Sequence, residues 1–277
     1  MNKKTIASNI RLKGIGAHTG TSTRVSISPS EEGEIRFRRV DLGGVEISLG
    51  DVRIEAQNCS ILKAENGEVR TVEHVMAAFS MLHVDSALVE LDGPEMPILD
   101  GSALPYVKYL QSAGFRELPF DRVYRRITKP FSLTIGDASL EADPDPDFRV
   151  TYAIEYDHPA IGRQDVSFNL DTTLFLKEIA SARTFGFLKD WEVLKQKGLA
   201  LGASGDNTLI LDEKGIVNGP LRFPDEFVRH KVLDFIGDMA LLGYPVRGHF
   251  YVERGGHAAH HALVKHLSAH PDLLSPG

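Results

Sequence analysis

His230 and Asp234 stand four residues apart in PDEFVRHKVLDFIGDMALLG, residues 224–243, a stretch that reads as a helix with Asp225 as its cap and Gly243 at its end. Side chains at i and i+4 of a helix can reach a common point, so this imidazole and this carboxylate could bind one metal ion. At about 100° per residue Asp238 follows on the same stripe, while Val232, Leu233, Phe235, Ile236, Met239 and Ala240 spread over the opposite side as a core face. A solvated ion pair has the same spacing, and the pair alone does not decide between the two. His74 offers a third ligand, since two histidines and an aspartate leave a catalytic zinc one open position. Glu73, its neighbour, is placed to take a proton from a water at such an ion. On local evidence alone Thr71-Val-Glu-His74 is better accounted for as a helix N-terminus, with Thr71 as cap and the acidic Glu73 favoured by the dipole.

Other residues could contribute. Arg254-Gly-Gly-His257 follows a strand-like run, and its glycines permit a sharp turn that would carry His257 back over the sheet ends. His260, His261, His266 and His270 read as a solvated C-terminal face. In Ala182-Arg-Thr184-Phe-Gly-Phe187 a hydroxyl and two aromatics surround a glycine, which suits a backbone passing close to a ligand and equally an ordinary strand with buried rings. The glycines of residues 198–207 lack the Lys-Ser/Thr end of a phosphate loop.

These side chains must be carried by an α+β fold. Val25-Ser-Ile27 and Ile35-Arg-Phe37 flank PSEEGE as a predicted hairpin, and alternation continues through Val45, Ile47, Leu49, Val52 and Ile54 to a tight turn at Asn66-Gly67. A helix over 73–82, the strand SALVEL at 86–91 and a second helix from Ser102 to Gly114 complete a first unit. Charges and Pro119 break the pattern over 116–126, which places a domain boundary near residue 121. Strands at 131–135, 139–142 and 149–156, helices at 174–181 and 188–197, the strand 207–211, the long helix, the strand 248–252 and a last helix over 258–268 repeat the plan. In each unit a histidine-bearing helix leads into a strand, which suggests a duplicated fold with a site between the copies.

Composition narrows the function. The 277 residues, 42% hydrophobic, suffice for one large domain or two ordinary ones. A formal charge of −7 argues against a nucleic-acid binder, although arginines cluster at 36, 38, 39 and at 122, 125, 126. The single Cys59 permits no internal disulfide and fits a reducing cytoplasm, and neither a signal peptide nor an apolar run of 18 residues is found.

The pieces KGIGAHTG at 13–20, TVEH at 71–74, PEMPILDGS at 94–102, ARTFGF at 182–187, GDNTLIL at 205–211, LRFPDEFVRHKVLDFIGD at 221–238 and GGHA at 255–258 together resemble the zinc-dependent deacetylase of lipid A biosynthesis. That enzyme family removes acetate from UDP-3-O-acyl-N-acetylglucosamine. The resemblance keeps the family's order along essentially the whole chain. It implies two similar α+β domains, 1–121 and 122–277, each a mostly antiparallel sheet layered against two helices, with the active site between them. It further implies that His74, His230 and Asp234 hold Zn2+, with Fe2+ as the alternative ion, and that Glu73 is the general base. His257, oriented by Asp238, is implied as the charged partner of the reacting centre, and Thr184 as the oxyanion-stabilising hydroxyl. An insertion at 178–201 would line an acyl passage with Phe185, Phe187, Leu188, Trp191, Leu194 and Leu199, and Lys231 would meet the anionic nucleotide-sugar. One departure is Ala259-His260, where the family commonly has Leu-Asn after Gly-His-Ala.

The expectation is a cytoplasmic, monomeric hydrolase for an acylated UDP-sugar, without nucleic-acid partners or stable membrane insertion. Two other readings stay open. His2Asp is also the iron(II) set of an oxygenase, which would have no need of Glu73, and a non-catalytic nucleotide-sugar or lipid binder would leave Glu73 and His257 without a role.

Overall fold

The computed structural model describes residues 1–49, 53–56 and 58–276, and the expected strand residue Val52 lies outside them. The first part of the chain forms β1 (Asn2–Ile6), β2 (Ile10–Ile15), β3 (Ser22–Ser28), β4 (Ile35–Arg39), β5 (Val45–Ser48), β6 (Arg53–Ala56), β7 (Ser60–Ala64), β8 (Gly67–Arg70), α1 (Glu73–Met81), β9 (Ala87–Leu91), α2 (Leu104–Ala113) and β10 (Phe115–Asp121). The second part forms β11 (Arg125–Ile127), β12 (Phe131–Ile135), β13 (Ala138–Asp143), β14 (Phe148–Tyr156), β15 (Gly162–Asn169), the short α3 (Thr172–Leu174), β16 (Phe185–Phe187), α4 (Leu188–Gln196), β17 (Leu209–Leu211), α5 (Glu226–Met239), β18 (Val246–Glu253), α6 (His257–Ala269) and β19 (Leu274–Pro276). The fold is α+β.

Two sheets share one plan. In the first the order is β2-β3-β9-β4-β5, with β4 and β9 parallel and the other neighbours antiparallel. In the second, seven-stranded sheet, β12, β13, β18, β14 and β15 run in the same order, with β14 and β18 the one parallel pair among these five. A parallel pair needs a crossover, and α1 and α5 lie on the connections leading into β9 and β18, the parallel partners.

The predicted hairpin of β3 and β4 does not form, because β9 inserts between them. Ala87, Val89 and Leu91 are fully buried, so the ALVEL strand takes the central place that a direct β3–β4 pairing would deny it. The charged segment 116–126, expected to be irregular, instead supplies β10 paired to β1 and β11 paired to β18. β15 alternates half-buried and exposed residues and was not expected from the sequence.

α1 and α5 pack on each other, and the buried apolar residues of both sheets form one connected cluster around them. Gly237 sets how closely they approach: a Cβ there would stand 2.0 Å from the carbonyl oxygen of Glu73. Backbone on both sides leaves little room to yield, so Gly237→Ala should cost about 1–3 kcal/mol. It should also part the groups on the two helices. Urea unfolding and metal titration of the variant check both effects, and a variant of unchanged stability would show that the contact relaxes.

Candidate active site

α1 starts from a constrained residue. Thr71 has φ 57°, and its hydroxyl donates to Glu95 Oε1 at 2.7 Å instead of capping the helix, whose N-cap position is Val72. Glu95 is fully buried and also accepts from the backbone of His18 and Thr19, at 2.9 and 2.7 Å. These bonds fix the turn into α1, whose first two residues, Glu73 and His74, are 3% exposed.

α5 supplies the second set. Asp225 occupies its N-cap position without capping, because its carboxylate pairs with Arg229 at 2.5 Å. The stripe of His230, Asp234 and Asp238 is as buried as the apolar face, at 1, 2 and 0% exposure. Ionisable groups in such a place need partners.

His74, His230 and Asp234 converge. The Nε2 atoms of His230 and His74 lie 3.3 and 3.7 Å from Asp234 Oδ1. Ligands of a tetrahedral ion with bonds of about 2.0–2.2 Å stand about 3.4 Å apart, so the spacing fits a shared metal. Asp234 Oδ1 is buried and accepts no hydrogen bond, whereas Oδ2 accepts from Lys231 Nζ at 3.0 Å. His230 Nδ1 donates to the Ala182 carbonyl at 3.0 Å, which leaves the Nε2 lone pair facing Asp234. Protonation states suit a cation. Burial lowers the His230 pKa to about 4, and although burial opposes ionisation of Asp234, its contacts with His230 and with the Lys231 ammonium hold it well below the usual carboxylate range.

Glu73 and His257 face each other across this cluster, with Oε1 and Nε2 3.7 Å apart. Glu73 Oε2 accepts from the Ser60 backbone at 3.1 Å, and burial raises its pKa. His257 is the first residue of α6; the turn before it is made by Arg254 at φ 52°, while Gly255 leaves room for Tyr152 and Val252. Its Nδ1 is 2.7 Å from Asp238 Oδ2. Burial disfavours its charge, but Asp238 and Glu73 outweigh that and raise its pKa to about 10.

The sequence profile described as LpxC, UDP-3-O-acyl N-acetylglycosamine deacetylase, matches residues 3–269. Among curated proteins, the UDP-3-O-acyl-N-acetylglucosamine deacetylase of Thermodesulfovibrio yellowstonii is 40% identical over 267 residues, covering 96% of this chain and 91% of that one. Those of Myxococcus xanthus and Nitratidesulfovibrio vulgaris are 42 and 43% identical, covering 98 and 99% of this chain and 87 and 90% of theirs. The chain belongs to the UDP-3-O-acyl N-acetylglycosamine deacetylase family.

In this family member the cluster opens into a cavity of about 820 Å³ lined by Glu73, His74, His230, Lys231, Asp234, His257 and Thr184 on its polar side. Phe185, Phe187, Trp191, Leu194 and Leu199 share its wall, whereas Leu188 lies outside it and is 46% exposed. α4 buries none of its residues, so Trp191 and Leu194 belong to the cavity wall more than to a core. Lys231 also lies 5.4 Å from the centre of the Phe185 ring. Thr184 is fixed by backbone bonds to Gly101 and Leu209, each 2.8 Å.

Some residues at the site were not anticipated. His260 and His261 are not solvated: both are buried, and His260 Nδ1 stands 2.8 Å from Asp238 Oδ2 while His261 Nε2 stands 2.7 Å from Ser60 Oγ. They lie at i+3 and i+4 from His257, the spacing already applied to α5, and that signal could have found them. Glu95, Ser60, Tyr152 and the cavity-lining His18 act through contacts between distant parts of the chain, which no local pattern announces.

Proposed function

We propose that the protein removes acetate from UDP-3-O-acyl-N-acetylglucosamine, in lipid A biosynthesis, using one Zn2+ held by His74, His230 and Asp234. The observation that carries the reading is the convergence of two imidazole Nε2 atoms on the unpartnered Asp234 Oδ1, beside a facing carboxylate and imidazole. The names of the curated relatives supply the substrate. An iron(II) oxygenase would leave the Glu73 and His257 pair unused, and Fe2+ remains only an alternative ion for the same hydrolysis.

An amide is a poor electrophile, so both the water and the carbonyl need activation. Bound zinc would lower the pKa of the attacking water from 15.7 toward about 7 and polarise the acetyl carbonyl. Glu73 removes the water proton; its free oxygen, Oε1, points to the cluster while Oε2 is fixed by Ser60. The Thr184 hydroxyl donates to the oxygen that becomes negative as the carbonyl carbon turns tetrahedral. His257, held by Asp238, carries the positive charge beside that centre and gives its Nε2 proton to the departing amine. Lys231, whose resting partner is Asp234, adds positive charge to the wall for the anionic nucleotide-sugar.

We assign residues 1–121 and 122–277 to two domains joined across α1 and α5, a division supported by the matching strand orders. We read the protein as a cytoplasmic monomer. No helix among the described residues is long and apolar enough to cross a membrane, and the single Cys59 suits a reducing compartment. Acetate release from the acylated UDP-sugar, measured together with metal content, tests the reaction; a metal-loaded protein that releases none overturns it.

The segment 178–201 is our acyl passage, on the apolar wall formed by Phe185, Phe187 and Leu199. Each methylene buried there should add about 0.8 kcal/mol until the passage is full. Because the chain positions the amide, its absence should lower kcat/KM by more than binding alone accounts for. Leu199→Trp should hurt long-chain substrate selectively and leave the metal in place. Equal kcat/KM for acylated and non-acylated UDP-sugars would exclude the passage.

A further inference from the structure

Asp238 holds more than His257. Its Oδ2 is 2.7 Å from His257 Nδ1 and 2.8 Å from His260 Nδ1, and its Oδ1 is bonded to the Ser60 hydroxyl, itself 2.7 Å from His261 Nε2. Beyond His260, Nε2 is 2.9 Å from the hydroxyl of Tyr152 on β14. Asp238, Tyr152 and His260 are all fully buried. Contacts of 2.7 and 2.8 Å to one oxygen are hydrogen bonds, too short for two ligands of a common metal, although Asp238, His257 and His260 form a cluster of metal-ligating types.

The proton inventory of this cluster has one consistent solution. An ionised carboxylate only accepts, so both His257 and His260 must carry a proton on Nδ1. His260 is kept neutral by burial, which lowers its pKa, so its Nε2 has a lone pair and accepts the Tyr152 O–H. On the other oxygen, Ser60 has one proton and gives it to Asp238, so His261 must donate from Nε2 to Ser60 Oγ. Gly255 lets the backbone close over the line, since a Cβ there would stand 2.6 Å from the Tyr152 hydroxyl and 3.3 Å from His260 Nε2.

We propose that His260 and Tyr152 are positioning residues for the deacetylation: a hydrogen-bonded line from the second sheet through His260 fixes the Asp238 carboxylate, and with it the direction of His257 Nε2. This rests on the hydrolytic reading above. Ser60, on β7, and His261, on α6, hold the other oxygen, so the carboxylate is fastened from both parts of the chain. Loss of either support frees the carboxylate to rotate, and the imidazole turns with it. Hydrogen-bond partners behind metal ligands are typically worth about 10–100-fold in metal affinity or activity, and support of the same kind behind His257 should have an effect of that order.

The test uses the metal-loaded full chain. Imidazole 15N spectra should show His260 neutral, with its proton on Nδ1 and Nε2 accepting; a proton on Nε2 overturns the line whether or not the protein is active. His260→Leu should lower kcat about 10–100-fold with KM and metal content unchanged. His260→Asn, whose amide can replace the Nδ1 donor, should recover most of that loss. Tyr152→Phe, which removes one hydroxyl, should lower kcat several-fold and shift the His260 Nε2 signal, and it decides the matter if His260→Leu does not fold. An unchanged kcat in His260→Leu, a loss carried in KM or metal content, or an Asn variant as poor as Leu refutes the assignment. Absence of acetate release from the wild type would instead count against the hydrolytic reading, leaving the nitrogen spectrum to judge the line.

Discussion

Glu73→Gln is expected to retain the metal and to lose kcat by roughly 10²–10⁴-fold, the usual contribution of a general base. The isosteric amide can still accept from the Ser60 backbone, a contact of 3.1 Å in the wild type, so helix α1 and His74 should stay in place. What disappears is a carboxylate that can take a proton. The pH dependence identifies it. Burial raises the Glu73 pKa, so activity should climb, as pH rises, through a value above the ordinary carboxylate range while Glu73 loses its proton. In the proposed mechanism His257 acts in its charged form, and its pKa is raised to about 10 by Asp238 and Glu73 against the cost of burial. Activity should therefore decline as pH rises through that region and His257 is deprotonated. His257→Gln should remove the alkaline decline. Its persistence would reassign that limb, and a Glu73→Gln protein that has lost its metal would make Glu73 a ligand.

His230→Ala should abolish activity through loss of the ion itself. His230 provides one of three converging groups, and its Nε2 is aimed by the Nδ1 hydrogen bond to the Ala182 carbonyl on the far side of the ring. Removal also leaves Asp234 Oδ1, already without a hydrogen bond, still less compensated. Elemental analysis should find one ion per wild-type chain and far less in the variant. Acetate release should vanish with chelation and return when Zn2+ is added, with Fe2+ as the comparison. A fully active His230→Ala protein, or a wild type indifferent to chelation, would remove the metal from the reaction.

Much of this arrangement is written locally. The i, i+4 pair of His230 and Asp234, the adjacent Glu73 and His74, and the helices that carry them follow from periodicity, because a helix brings such residues onto one side whatever surrounds it. Family motifs then joined these groups into one expected site, which spacing alone left undecided between ligands and a solvated pair. Tertiary structure decided what local rules do not reach. β9 lies between β3 and β4 because a strand apolar on its inward face gains more at the centre of a sheet than a hairpin gains from its short turn. Thr71 bonds Glu95 instead of capping α1, and His260 and His261 are interior, because a polar side chain takes whichever partner the rest of the chain brings to it. That His74, His230 and Asp234 could meet, with Glu73 beside them, was legible in the sequence and its family motifs, but their depth, proton positions and supports depend on contacts between segments more than a hundred residues apart, such as Ser60 with Asp238 and Tyr152 with His260.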